Sequence, residues 1–126
     1  MSDRSRGAAR VRSVERRLHE HGYRTAIVSA SGQRRGARHD SLALDGDIVG
    51  LAPDGSGWPH IVAEIGGRSK SVRESLREMR QHGLPAGFTP IVVRLVDSSR
   101  KRWRWHLDSD VAFDTLDDLL DALSSA

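Results

Sequence analysis

Two carboxylates stand in this chain where a carboxylate is costly. Asp47 directly precedes the apolar pair Ile48 and Val49, and Glu64 is embedded in the run Ile61-Val62-Ala63-Glu64-Ile65. An ionisable group among buried neighbours needs a counter-charge, a cation or a pKa moved toward its neutral form. Only a Gly-rich turn, Asp54-Gly55-Ser56-Gly57, separates the two apolar segments. Joined as a hairpin, they can bring both acids to one side of a sheet. Carboxylates paired at the ends of adjacent strands seat a hard divalent cation such as Mg²⁺, with Mn²⁺ as a substitute. Taken singly, each acid also suits a strand position that faces solvent.

The elements that must position these acids follow from periodicity. Residues 6–22 predict a helix with Val11, Val14 and Leu18 at helical spacing and Gly22 as its terminator. A strand follows over 23–31, centred on Ala26, Ile27 and Val28, and then a polar, basic loop over 32–40 that is expected to be mobile. Residues 42–53 read as a second strand around Ile48, Val49 and Leu51, and 58–66 as its returning partner. A second helix is predicted over 67–83, capped by Ser69 or Ser71, with Val72, Leu76 and Met79 as its apolar stripe. Residues 89–97 are nearly continuously apolar, as in a strand buried on both faces. The segment 101–108 alternates Arg and Trp and reads as an edge strand. Residues 113–126 form an acidic amphipathic helix on Leu116, Leu119, Leu120 and Leu123. The order is α-β-β-β-α-β-β-α, an α/β protein in a single domain over 1–126.

Charge is distributed unevenly. With Lys70 and Lys101 as the two lysines, 18 of the 20 basic residues are Arg, and the net charge is +3. Ten Arg fall in residues 1–40 against four acids, whereas from Asp108 onward there are six Asp and no basic residue. The guanidinium fork binds phosphate oxygens in pairs, so an Arg-rich end suggests nucleic-acid contacts. The candidates are Arg34, Arg35 and Arg38 in the loop, Arg12 and Arg16 on the first helix, and Arg68 before the second. In 101–106, Trp103 and Trp105 take one strand face and Arg102, Arg104 and His106 the other. The Trp face is expected to pack on the C-terminal helix, leaving Arg102 and Arg104 as phosphate contacts.

Other chemistries find no support. The absence of Cys excludes disulfides, thiolate metal sites and Cys nucleophiles. His19 and His21 are two apart on a helix and cannot face one way, and the other histidines show no ligand spacing. No nucleophile elbow, phosphate-binding loop or dinucleotide fingerprint occurs. No apolar run reaches the ~20 residues a membrane span needs. The N-terminal residues lack the apolar stretch of a secretory signal, so a cytoplasmic protein is expected.

In this setting Gly46-Asp47-Ile48-Val49 resembles the aspartate element of the PD-(D/E)xK nuclease superfamily. Val62-Ala63-Glu64-Ile65-Gly66 resembles its glutamate-x-lysine element, and Glu15 matches its helix-borne glutamate. The segments His21 to Gly32 and Gly46 to Leu51 look most like the archaeal-type Holliday-junction resolvases and related small phage or bacterial nucleases. The likeness runs over about residues 7–97. It implies a restriction-endonuclease-like core and a metal-dependent endonuclease acting on DNA, branched or duplex, as a homodimer. Asp47, Glu64 and the backbone carbonyl of Ile65 would hold Mg²⁺, while Glu15 would bind a second cation or orient water. Ser31 would lie near the site. The superfamily's lysine, two residues after the glutamate, is Gly66 here. Lys70 is the residue that could replace it, with Arg68 a competitor that stabilises charge but carries protons poorly. A DNA-binding module on a decayed nuclease fold is the alternative reading, and an adaptor acting through the acidic helix is a third.

Overall fold

A computed structural model describes residues 3–27, 48–65, 71–81, 83–97 and 102–125. The elements are α1 (Asp3–Glu20), β1 (Arg24–Ile27), β2 (Ile48–Leu51), β3 (His60–Ile65), α2 (Val72–Gln81), β4 (Phe88–Asp97), β5 (Arg102–Asp108), β6 (Val111–Phe113) and α3 (Leu116–Ser125). The strands form one mixed sheet in the order β1-β2-β3-β4-β5-β6. Every neighbouring pair is antiparallel except β3 and β4, which are parallel and joined through α2.

The helix ends show why these segments stop where they do. After α1 the chain turns through Gly22 at φ 90°, and the Tyr23 amide donates back to the Leu18 carbonyl, satisfying an end-of-helix acceptor. Ser71 caps α2, its hydroxyl oxygen accepting from the Glu74 amide at 3.1 Å. Thr115 does the same for α3 through the Asp118 amide. The hairpin between β2 and β3 turns over 54–57 as its Gly content predicts, with the Ser56 amide bonded to the Pro53 carbonyl.

The sheet divides the core in two. On one face Val14 and Leu18 of α1 and Leu116, Leu119 and Leu120 of α3 pack on Ile48, Ile61, Ala63, Ile91, Val93, Trp103 and Trp105. On the other, Leu76 and Met79 of α2 pack on Val49, Val62 and Val92. Ile91, Val92 and Val93 are fully buried, because β4 is covered on both faces. The protein is therefore an α/β fold with a six-stranded mixed sheet flanked by helices.

Three expectations need correction, and one is that the last helix begins at Phe113, which instead ends β6 while α3 starts at Leu116 behind its Thr115 cap. A sixth strand, β6, pairs outside β5, so the Arg/Trp strand is not an edge. Three residues, two of them exposed, are too short to show a period of two, and the pairing is visible only in the register Trp105 to Phe113. The first helix also starts earlier than predicted, at Asp3, where Arg and Ala carry it past Gly7. The Trp face packs against α3 as expected, and against α1 as well.

Candidate functional site

Strand parity assigns Glu64 to a face. Ile61 and Ala63 belong to the α1/α3 side of the core and Val62 to the α2 side, so Glu64 projects with Val62. It is half-buried, at the carboxyl end of β3, and lies opposite Val92 of the parallel strand β4. Ligands of open α/β sheets sit off the carboxyl ends of parallel strands, and β3 with β4 is the one parallel pair among the described strands. The pairing of β2 with β3 is described as far as Ile48 opposite Ala63. Glu64 is the next residue on one strand, and Asp47 precedes Ile48 on the other.

The expected site residues fall into three groups. Asp47, Ser31, Arg34, Arg35, Arg38, Gly66, Arg68 and Lys70 lie outside the described residues. Glu64 and Ile65 form the last turn of the pleat in β3, and both make polar contacts. Glu15, Arg12 and Arg16 are on α1, with both arginines exposed. The carboxylate of Glu15 accepts a hydrogen bond from the Thr25 hydroxyl at 2.6 Å and lies 4.0 Å from the His19 ring. Thr25 is opposite Gly50, and a side chain at Gly50 would meet Tyr23 and Leu18. Glu15 is thus engaged on the α1 side of the sheet, whereas Glu64 projects on the α2 side. The rung of Gly50 with Ile61 is also three residues back along β3, about 10 Å at the rise of a strand. Among the described residues no three His, Asp or Glu side chains gather as a metal-binding group.

Beside Glu64 lies a basic cluster made of Arg104 and His106, which the alternation of the strand places on one face, and of Arg94, which it does not show. Arg94 of β4 is directly opposite Arg104 of β5, and Val92 is opposite His106. Because Val92 packs with α2, Arg94, Arg104 and His106 are on the same face as Glu64. Burial first, and then the charges of Arg94 and Arg104, push the His106 pKa below its ordinary value. The available signal was a lone Arg inside the apolar run Ile91-Val92-Val93-Arg94-Leu95-Val96. Only the register shows that it meets a second Arg.

Among the described residues, two clefts lie elsewhere. One of about 420 Å³, between the end of α1, β5 and the start of α3, is lined by Arg17, His21, Trp103 and Asp117. Another of about 590 Å³ lies at the amino ends of β3 and β4, against Trp58, His60 and Phe88. Glu64 lines neither. No helix among the described residues is long and apolar enough to cross a membrane. Compared with family models, curated proteins and solved structures, the chain matches none.

Proposed function

We propose that the protein is a metal-dependent endonuclease of the PD-(D/E)xK type that hydrolyses DNA phosphodiesters, with the Holliday junction as its first candidate substrate. The observation that carries the reading is Glu64, a half-buried carboxylate at the carboxyl end of β3 beside the parallel strand β4. Asp47, which directly precedes Ile48 in the sequence, is the second carboxylate of this reading. Two such carboxylates, with the Ile65 carbonyl, suit an oxygen-seeking cation such as Mg²⁺. Bound there, the cation would supply Lewis-acid polarisation of the phosphate and activation of water. Glu15 enters only as an anchor between α1 and β1, given its bond to Thr25. Lys70 would supply the charge that Gly66 cannot. A homodimer would match the two-fold symmetry of a four-way junction, and such a substrate places the protein inside the cell.

Gly66 also supports a second reading, in which the fold binds DNA but no longer cuts it. The two readings separate in one experiment: cleavage of a labelled four-way junction and its linear duplex, with Mg²⁺, Mn²⁺ or EDTA, for the wild type and Glu64→Gln. Metal-dependent cutting that is lost in Glu64→Gln, with binding retained, is the expected result. Binding without cutting in any metal would overturn the nuclease and leave the binding module.

A further inference from the structure

The cleft at the amino ends of β3 and β4 is built without charge. It holds about 590 Å³, and no Asp, Glu, Lys or Arg among the described residues lines it, although 29% of the chain is charged. The cleft at the end of α1, by contrast, is lined by Arg17, Glu20, Arg102, Asp114 and Asp117 among others. A volume of this size with ring-bearing walls is that of a small-molecule site. Trp58, His60 and Phe88 supply the rings, and Leu123 of α3 adds an aliphatic wall. Trp58 is half-buried and held in place beforehand. It stacks on Tyr23 at 4° from parallel, and Tyr23 is anchored in turn by its hydroxyl to the Pro59 carbonyl. His60 and Phe88 brace each other at 4.9 Å between ring centroids.

The polar groups of this lining are unequally spent. Its carbonyls are engaged, Pro59 accepting from the Tyr23 hydroxyl and Gly87 from the His60 amide. Its donors remain. Among the described residues nothing bonds the Trp58 indole N–H or the Thr89 hydroxyl, and neither is shut off from the surface. His60 is a third donor. Its Nδ1 accepts from the Ala52 amide at 2.9 Å, so the neutral ring carries its proton on Nε2. Strand parity sets Thr89 with Ile61 and Ile91, on the side of Trp58 and Leu123, and His60 with Phe88 on the α2 side. A phosphate or carboxylate would lose its hydration here without gaining a counter-charge. A plain hydrocarbon ring would leave the donors unpaired. What fits both constraints is an uncharged planar ring with acceptors at its edge, and the carbonyl oxygens and ring nitrogens of a nucleobase are such acceptors.

We infer that this cleft binds a nucleobase, packed against Trp58 and Leu123 and held at its edge by the Thr89 hydroxyl. The choice of a nucleobase over another planar heterocycle rests on the nucleic-acid reading above, whereas the neutral, donor-rich lining stands without it. His60 and Glu64 are four residues apart on β3, about 13 Å at the rise of a strand, so the cleft is a binding subsite separate from the Glu64 end. Trp103 and Trp105 are 6% and 1% exposed, so an uncharged quencher such as acrylamide reaches Trp58 first. The test is acrylamide quenching of the whole chain in EDTA with uncharged nucleosides, an unpaired oligonucleotide or ribose 5-phosphate, paired with equilibrium dialysis of a labelled nucleoside. Nucleosides and the oligonucleotide should shield Trp58, and ribose 5-phosphate should not. Tighter binding of the oligonucleotide assigns the cleft to a base within a strand, and equal binding to a free nucleoside. In dialysis Trp58→Leu should weaken binding roughly 5- to 150-fold, the range of base–aromatic stacking. Thr89→Val, which keeps the shape of the side chain, should weaken it roughly 2- to 10-fold through one lost hydrogen bond. Circular dichroism checks the folding of each variant. Shielding by ribose 5-phosphate alone, no shielding by any base, or wild-type affinity in Thr89→Val would each overturn the inference. Glu64→Gln should bind nucleosides like the wild type. If nucleosides bind but no metal permits cutting, the nuclease assignment fails and the cleft stands. If cutting is lost in Glu64→Gln while no base shields Trp58, only the cleft fails.

Discussion

Tyr23 is held at both ends of its side chain. Its ring stacks on Trp58 at 6.0 Å between centroids, and its hydroxyl donates to the Pro59 carbonyl at 2.8 Å. Burial disfavours the phenolate and raises its pKa to about 12. An unfolded tyrosine ionises near 10, so above that pH the unfolded state carries fewer protons than the folded one. The contribution of Tyr23 to stability is complete below pH 10 and is lost as the pH climbs toward 12. As the chain has one Tyr, tyrosinate absorbance reads this group alone. The native protein should show its rise about two pH units above that of the urea-unfolded chain, and coincident curves would refute the buried placement. Tyr23→Phe leaves the Pro59 carbonyl without this donor and should cost about 1–3 kcal/mol in urea unfolding. None of this was legible in the sequence, where Tyr23 and Trp58 are far apart and nothing marks them as partners. Glu64, by contrast, announced itself by its apolar neighbours, a signal that needs no knowledge of the fold.

At the scale of elements, apolar spacing showed where the helices and long strands lie, because burial on one face imposes it. Val72, Leu76 and Met79 are the stripe that α2 turns inward, and Leu116, Leu119 and Leu120 are the stripe of α3. What spacing could not show is how the ends meet. The imidazole of His21, just after α1, bonds the Arg17 carbonyl through Nδ1 at 2.9 Å and the Asp117 carboxylate through Nε2. This ties the end of α1 to the start of α3, with a cation at a C-terminus and an anion at an N-terminus, as the helix dipoles favour. Burial alone would lower the His21 pKa. The Arg17 carbonyl, the Asp117 carboxylate and Glu20 outweigh it, and the pKa ends above its ordinary 6.5. The tie therefore contributes in full below pH 6.5 and fades as the pH rises through the raised folded value. Asp117→Asn should lower stability by about 0.5–1 kcal/mol at pH 5.5, given the exposed geometry, and by less at pH 9. An equal loss at both pH values in thermal unfolding would show that the imidazolium plays no part. Ser71→Ala should cost about 1 kcal/mol at any pH, since it removes the cap of α2.

Across the whole molecule the sheet is a partition, and it sorts apolar packing and charge by the same parity. Reading β5 as Trp-in, Arg-out needed only the sequence. Learning that Arg94 shares the outward face with Arg104 and Glu64 needed the register of three strands, which no local pattern encodes. The same partition has a thermodynamic consequence. Val14 lies in the α1/α3 layer and Leu76 in the α2 layer, and they belong to separate core clusters with the sheet between them. Val14→Ala removes two methyl groups and should cost roughly 2 kcal/mol, at about 0.8 kcal/mol per group with a cavity contribution added. Leu76→Ala should cost about 2–5 kcal/mol, toward the upper end if α2 cannot settle into the space. Sites without shared partners add to within about 0.5 kcal/mol, so the double variant should lose the sum of the two in urea unfolding. A deficit well beyond that margin would mean the sheet transmits repacking from one layer to the other. The strands carrying Glu64 and Arg94 would then shift whenever either helix does, and the Glu64 face would have to be treated as a moving part.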